Sequence, residues 1–246
     1  DYLLKRPNVD YFAWSDGEVV VLEIIQRFIE ADFSVENLSK DDEPIKGCAS
    51  ISIDKKKLLV GKYMSRIGME GSVKSEGRDI ILSPYTTGLL DKFLDGNFIP
   101  AFETARGCPF MCTFCDQGLD SSKITAFSSE RLMEEFWYVG EKMSKHENGT
   151  KNVSIFDSNW GLFEKDIELS KYVLEVMNKY DWPQYIECLT PKSNRENLLK
   201  INDILKNRVQ VGLSMQSMNV LTLSDVKRKN WTTEEYIDFV GEIKKR

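Results

Sequence analysis

The chain has 246 residues, with 33 lysines and arginines against 39 aspartates and glutamates and a formal net charge of -6. Acidic and basic residues are mixed along the chain, so no basic patch of the kind that binds nucleic acid is present. No apolar run reaches the roughly 18 residues that a membrane-spanning helix needs. Five cysteines, an odd number without framework spacing, favour a reducing compartment. We expect a cytoplasmic protein without nucleic-acid or membrane partners.

Residues 1–60 carry the sequence signals of a small α/β region. Apolar spacing predicts a strand at 9–13, an amphipathic helix at 18–30 and a β-hairpin at 49–60. Residues 61–96 begin with a stretch rich in glycine and charged residues. We interpret them as a linker.

From residue 97 onward, strand and helix patterns alternate. Strands are predicted at 99–105, 153–156, 185–189 and 209–213, and helices at 128–144, 164–180, 194–205, 220–227 and 232–245. Thr232 and Glu235 have the spacing of a capping box for the last helix. Repeated strand and helix units predict an α/β fold with a parallel sheet, whose carboxyl-end loops are the usual place for chemistry.

Three of the five cysteines, Cys108, Cys112 and Cys115, stand in a CxxxCxxC spacing directly after the first strand of this region. Such crowding indicates a soft-metal or redox role, and three thiolates leave one coordination position open. One alternative is a structural zinc site completed by Cys188 or His146. Another is a simple iron–sulfur electron-transfer module, which requires a fourth nearby cysteine.

The motif resembles the signature of the radical S-adenosylmethionine enzymes. The resemblance is carried by CxxxCxxC, by Phe114 just before the last cysteine, and by the lead-in ETARGCP. It implies a 4Fe-4S cluster on Cys108, Cys112 and Cys115, with the methionyl group of S-adenosylmethionine on the fourth iron and Phe114 packed near its adenine. It also implies reductive cleavage of S-adenosylmethionine to a 5′-deoxyadenosyl radical, and an external electron donor such as flavodoxin or ferredoxin.

The order of elements before the cysteines is similar to the join between a cobalamin-binding domain and a radical barrel. The resemblance implies that residues 1–60 are the C-terminal part of a Rossmann-like cobalamin-binding domain. Residues 97–246 would then be four strand–helix units of a partial six-stranded (β/α) barrel, and the chain an internal fragment of a longer protein. A cobalamin-coordinating histidine motif cannot be mapped, because His146 is the sole histidine. The expectation of cobalamin therefore rests on the resemblance alone and applies to the parent protein.

Two further contacts to S-adenosylmethionine are implied by position. Asp157, followed by Ser158 and Asn159, occupies the place where many family members have a glycine-glycine-glutamate motif that receives the methionyl amine. The alternative is a turn and helix N-cap, which these residue types favour. Glu187 lies inside an apolar strand and resembles the amine-binding glutamate of the oxygen-independent coproporphyrinogen dehydrogenases. Its alternative is an ion pair that lines the barrel.

Gln216 and Arg228 lie twelve residues apart. The same dehydrogenases place a ribose-binding glutamine and a carboxylate-binding arginine at this separation, so the resemblance assigns these roles here. The charged run around Arg228 is also typical of a solvated helix end. We expect a small-molecule substrate, whose identity and net reaction the sequence does not specify.

Overall fold

The computed structural model describes residues 2–6, 8–14, 16–38, 43–52, 57–63, 81–115, 117 and 124–246. The chain divides into two compact units, Asp1–Ile67 and Gly68–Arg246. Within the described residues, none of the helices combines the length and the apolar character needed to cross a membrane.

The first unit is a small sheet with helices. Its elements are strand β1 (Tyr11–Ala13), helix α1 (Gly17–Glu30), helix α2 (Val35–Leu38), strand β2 (Cys48–Ile51) and strand β3 (Leu58–Val60). Val20 of α1 packs with Ile45 and Cys48 in a buried cluster. The predicted strand, helix and hairpin are confirmed, although the hairpin turn at 53–56 lies outside the described residues.

The sheet of the first unit differs from the Rossmann-like arrangement that we expected. Its strands are ordered β1-β2-β3 and both pairs are antiparallel, whereas a Rossmann-like sheet is mostly parallel. The connection between β2 and β3 covers only residues 52–57, and Ser52 N donates to Lys57 O across it at 2.8 Å. A parallel crossover requires a dozen or more residues, so this connection produces a hairpin.

The second unit alternates strands and helices. Its strands are β4 (Ala101–Phe102), β5 (Ala105–Arg106), β6 (Thr125–Ala126), β7 (Asn152–Ile155) and β8 (Tyr185–Cys188). Its helices are α3 (Ser129–Met143), α4 (Glu164–Tyr180), α5 (Arg195–Ile204), α6 (Val220–Asp225) and α7 (Thr233–Lys245). Strands β4, β7 and β8 form a parallel sheet in that order, and β5 pairs with β6 in an antiparallel ribbon.

Alternation along the parallel strands separates two faces. Val153 and Ile186 are buried in the core cluster with residues of α3 and α4, while Asn152, Ser154 and Glu187 carry polar side chains on the other face. This pattern is the period of two that a strand imposes. The parallel α/β core is confirmed, and its completion into a barrel stays a prediction.

The helices of this unit match the predicted ranges closely. Ser128 accepts a hydrogen bond from Arg131 N at 3.2 Å as the N-cap of α3. The predicted capping box of α7 is present, because Thr232 Oγ1 accepts from Glu235 N at 3.2 Å and Glu235 Oε2 accepts from Thr232 N at 2.8 Å. These local signals determine where the helices begin.

Two predicted strands are shorter than expected. The strand predicted at 99–105 is interrupted at Glu103 and Thr104, and the backbone N–H of Thr104 donates to Asp157 instead of to a strand. The strand predicted at 209–213 is reduced to one parallel bridge between Ile186 and Val209.

The end of the predicted linker is a folded part of the second unit. Tyr85 is buried, and its hydroxyl donates to Ala101 O at 2.6 Å and accepts from Ala101 N at 3.0 Å. Its ring lies 5.1 Å from that of Phe102, which stacks on Phe136 at 4.0 Å. The segment around Tyr85 therefore covers the edge of β4. Residues 64–80 of the predicted linker lie outside the described residues.

Candidate functional site

The cysteine loop begins just after β5. Cys112 is buried, Cys108 is partly buried and Cys115 is exposed. A turn closes the second half of the motif, because Cys115 N donates to Cys112 O at 3.1 Å. The loop is also tied to the segment after α6, since Thr113 N donates to Val226 O at 3.1 Å. The second half of the motif is thus fixed by an internal turn and by one contact with a distant segment.

Asp157, at the carboxyl end of β7, anchors the approach to this loop. Its Oδ1 accepts from the backbone N–H groups of Thr104 at 2.7 Å and Ala105 at 3.1 Å, and its Oδ2 accepts from the Thr104 hydroxyl. Burial raises the pKa of Asp157, and these hydrogen bonds oppose the shift. The carboxylate fixes the backbone leading to Cys108, so a contact with S-adenosylmethionine stays a prediction.

Asn159 brings the same loop into contact with the first cysteine. It is 6% exposed, and its Nδ2 donates to Cys108 Sγ at 3.2 Å. Among the described residues, its Oδ1 has no hydrogen-bond partner. Sequence reasoning named Asn159 only as part of a polar run, because nothing in the spacing indicates a contact with a sulfur.

Arg228, predicted as a carboxylate ligand, lies beside the second cysteine. It is 6% exposed, and its Nη1 is 3.9 Å from Cys112 Sγ. Its Nε donates to Asn230 Oδ1 at 3.0 Å and its Nη2 donates to Ser214 O. Its Cζ lies 5.7 Å from the ring centroid of Phe114, which is exposed. The structure therefore brings Arg228 and Phe114 to the cysteine loop.

Lys192 is a second cation near the motif, which sequence reasoning missed. It follows β8 in the loop after Pro191, and its Nζ lies 5.7 Å from the ring of Phe110, inside the motif. Burial lowers the pKa of Lys192, as does Arg228, and the three motif cysteines oppose this shift. A lysine just after a parallel strand is the signal that could have suggested it.

Glu187 lies in the parallel sheet, and Gln216 lies on the surface. Glu187 accepts from Asn152 Nδ2 at 3.0 Å and from Ser154 Oγ at 3.5 Å on the polar face of the sheet, within a strand. Gln216 is exposed and has a φ of 60° in the segment between the Val209 bridge and α6. Their predicted roles toward S-adenosylmethionine stay predictions.

A cavity of about 640 Å³ opens between α6 and the start of α7. Arg228 and Trp231 line it, together with Met218, Leu223 and Thr232. Its volume lies in the range of about 300–1,000 Å³ usual for small-molecule sites. Arg228 therefore links the cysteine loop to a space large enough for a small molecule.

The two other cysteines are separate from the motif. Cys188 is buried, and burial raises its pKa to about 12, with Asp157 and Asp166 adding to the shift. Burial also raises the pKa of Cys48. Both remain neutral thiols near neutral pH, and neither has the chemistry of a ready thiolate ligand.

The donor set of the loop fits an iron–sulfur cluster. Three thiols share one loop, and Arg228, Lys192 and the Asn159 amide supply positive charge and N–H groups around them. Among the described residues, no three His, Cys, Asp or Glu side chains converge as ligands of a single ion would. In a four-iron cluster each thiolate binds a different iron, so such convergence is not required.

Comparison with known proteins identifies relatives of this chain. No protein-family model matches it. It is 24% identical over 254 residues to the cobalamin-dependent radical SAM methyltransferase TokK of Streptomyces tokunonensis, covering 96% of this chain and 33% of that protein. It is 29% identical over 168 residues to the 2-(S-pantetheinyl)-carbapenam-3-carboxylate methyltransferase of Streptantibioticus cattleyicolor, covering 63% of this chain and 23% of that protein. The chain is thus similar in sequence to a cobalamin-dependent radical S-adenosylmethionine methyltransferase and to a carbapenam-carboxylate methyltransferase.

This relationship confirms the resemblance predicted from the cysteine motif. The fold agrees with it, because the cobalamin-dependent S-adenosylmethionine radical enzyme OxsB superimposes with a TM-score of 0.63 in its apo form, at 14% identity over 96% of this chain. The form of OxsB with aqua-cobalamin and S-adenosylmethionine bound gives 0.58, at 16% identity over 93% of this chain. The chain spans about a quarter to a third of the length of the proteins that it matches.

Proposed function

We propose that the protein is a cobalamin-dependent radical S-adenosylmethionine enzyme that transfers a methyl group to a small molecule in the cytoplasm. The observation that carries this proposal is the loop of Cys108, Cys112 and Cys115, with Arg228 and Asn159 against two of its sulfurs, in a chain related to radical S-adenosylmethionine methyltransferases. Methyl transfer is proposed because both relatives are methyltransferases.

The three cysteines would hold a 4Fe-4S cluster. When bound and reduced by an external donor such as flavodoxin or ferredoxin, such a cluster supplies the electron that cleaves S-adenosylmethionine to a 5′-deoxyadenosyl radical. Thiolate ligands suit iron–sulfur clusters, and the open fourth position suits a ligand that is not protein. This chain's own part is to position the thiolates, through the Asp157 anchor and the turn from Cys112 to Cys115.

The contacts proposed for S-adenosylmethionine are Phe114, Asp157, Glu187, Gln216 and Arg228. Phe114 is supported best, because its exposed ring beside the last cysteine offers a surface for an adenine. Arg228 is supported by its place between Cys112 and the 640 Å³ cavity. Asp157 already accepts three hydrogen bonds, so we assign it chiefly to holding the loop.

Cobalamin binding is proposed for the parent protein. One support is that the relative TokK is a cobalamin-dependent enzyme. The other is the fold similarity to OxsB, which extends over the first unit of this chain. His146, the sole histidine, lies in the turn after α3.

The test is anaerobic reconstitution of the full-length protein with iron and sulfide, followed by dithionite and S-adenosylmethionine. We expect brown protein with about four irons per chain, and 5′-deoxyadenosine as a product. Cys112→Ala should lose the product, because one iron loses its protein ligand. Cys188→Ala is the matched control, since Cys188 is a buried neutral thiol outside the motif.

Two outcomes would favour the alternatives. Colourless protein that retains zinc through purification would support a structural zinc site. A cluster that forms and accepts electrons without turnover of S-adenosylmethionine would support a simple electron-transfer module. Equal loss of product in Cys188→Ala and Cys112→Ala would contradict the assignment of the motif.

A further inference from the structure

Two side chains from distant parts of the sequence contact two of the three motif sulfurs. Asn159 follows β7, and its Nδ2 donates to Cys108 Sγ at 3.2 Å. Arg228 follows α6, and its Nη1 lies 3.9 Å from Cys112 Sγ. The third sulfur belongs to the exposed Cys115. The motif therefore has a polar environment that differs from one cysteine to the next.

The Asn159 side chain makes its hydrogen bond to the sulfur of Cys108. Its side chain is buried, and among the described residues its Oδ1 lacks a partner. An unpaired buried acceptor is unfavourable, and the N–H group of the same amide makes its hydrogen bond to Cys108. The reverse orientation would place Oδ1 against a thiolate, two acceptors in contact. The N–H group therefore faces the sulfur.

The Arg228 guanidinium is also held in place by the protein. Ser214 O and Asn230 Oδ1 accept from two of its nitrogens, which leaves Nη1 directed at Cys112. Of the described residues, no carboxylate lies within 4.0 Å of this guanidinium. A buried cation requires a compensating negative charge, and the Cys112 thiolate is placed to provide it.

We propose that Asn159 and Arg228 are positioning residues that set the reduction potential of the cluster through Cys108 and Cys112. The inference rests on the proposed function. Reduction adds one electron to the cluster and breaks no bond to the protein. A donated hydrogen bond and a fixed positive charge stabilise the more negative reduced form, so both residues raise the potential.

The experiment is a redox titration of the reconstituted full-length protein, with dithionite as the reductant and electron paramagnetic resonance as the readout, without S-adenosylmethionine. Asn159→Leu removes the donor at similar size, and Arg228→Gln removes the charge. Each should shift the reduction equilibrium about tenfold toward the oxidised form, which is about 59 mV for a one-electron couple. Arg228→Lys, which keeps the charge, should shift it less.

Matched controls are the neighbouring changes Ser158→Ala and Lys227→Gln, which should leave the potential unchanged. Wild-type potentials in Asn159→Leu and Arg228→Gln, at full iron content, would overturn this inference and leave the proposed function intact. A wild-type protein that binds no cluster would instead overturn the proposed function, and this inference with it. If Arg228→Gln binds less iron, Arg228→Lys decides, because a shift there as large as tenfold, with the charge retained, contradicts the role of the charge.

Discussion

At the residue scale, Asp157 joins two segments that are far apart in the sequence. Its carboxylate accepts from the backbone of Thr104 and Ala105, 53 and 52 positions earlier, and these residues lead into the cysteine loop. A role as a ligand for a methionyl amine requires the negative charge. A role as an anchor requires only acceptors. The two roles therefore predict different outcomes when Asp157 is changed to Ala and to Asn.

We expect Asp157→Ala to lower both the free energy of unfolding and the iron content. Two buried backbone N–H groups would lose their acceptor, at about 1–3 kcal/mol each. Asp157→Asn keeps Oδ1 as an acceptor and should bind iron at nearly the wild-type level. Chemical denaturation and iron analysis of the two variants test this, and equal damage in both would contradict the anchor role.

Because the pKa of Asp157 is raised, the difference in stability between the wild-type protein and Asp157→Asn should depend on pH. Burial raises the pKa of Asp157 above its usual value of 3.8. The stability gained by protonation is complete below pH 3.8 and is lost as the pH rises through the folded pKa. Asp157→Asn has no such titration. The wild-type protein should therefore lose stability relative to this variant between pH 3.8 and neutral pH, as measured by unfolding at matched ionic strength.

The residues around the sulfurs show what sequence could and could not predict about the site. Cys108, Cys112 and Cys115 were predicted because their spacing is local. Asn159 and Lys192 were not, because their contacts depend on how the loops after β7 and β8 meet the motif. Only the folded sheet brings those loops together.

At the element scale, the close approach of α3 and α4 requires a glycine at position 140. Gly140 lies inside α3, and a Cβ added there would be 2.6 Å from Val176 Cγ1 and 3.2 Å from the Tyr180 ring. Ordinary contacts are longer than 3.4 Å. The helices therefore approach as closely as they do because the side chain is absent.

Two matched substitutions separate packing from helix propensity. Gly140→Ala should destabilise the protein by about 1–3 kcal/mol, because the new methyl group overpacks the contact with α4. Gly241→Ala in α7 meets nothing within 4 Å and should stabilise the helix by roughly 0.5–1 kcal/mol. Urea denaturation of both variants is the measurement. Changes of the same sign in both would show that the contact does not govern this helix pair.

Elements were predicted well where the signal is local. The bounds of α4 and the capping box of α7 follow from apolar spacing and from residue types within one or two turns. The interruption of the first strand at Thr104 was missed, since it results from a hydrogen bond to a residue 53 positions away. The covering of β4 by Tyr85 was missed for the same reason, because it depends on tertiary packing.

At the scale of the whole molecule, four of the five cysteines divide into an accessible pair and a buried pair. Cys115 is exposed and Cys108 is partly buried, whereas Cys48 and Cys188 are buried with raised pKa values. A cluster site requires thiols that iron can reach, and Cys112 alone of the motif is buried. Accessible thiols therefore concentrate in the segment that we assign to the cluster.

Thiol labelling of the full-length protein tests this division without any assay of activity. In the metal-free folded protein, iodoacetamide should modify Cys115 first and Cys108 next, because alkylation requires an accessible thiolate. Cys48 and Cys188 should react only after unfolding, as burial disfavours their thiolates. Reconstitution with iron and sulfide should then protect all three motif cysteines, and mass spectrometry of the peptides reports each site.

Rapid labelling of Cys188 in the folded protein, or no protection of Cys115 by the cluster, would contradict the assignment. The first result would place Cys188 among the reactive thiols and revive it as a fourth ligand, while the second would remove Cys115 from the iron.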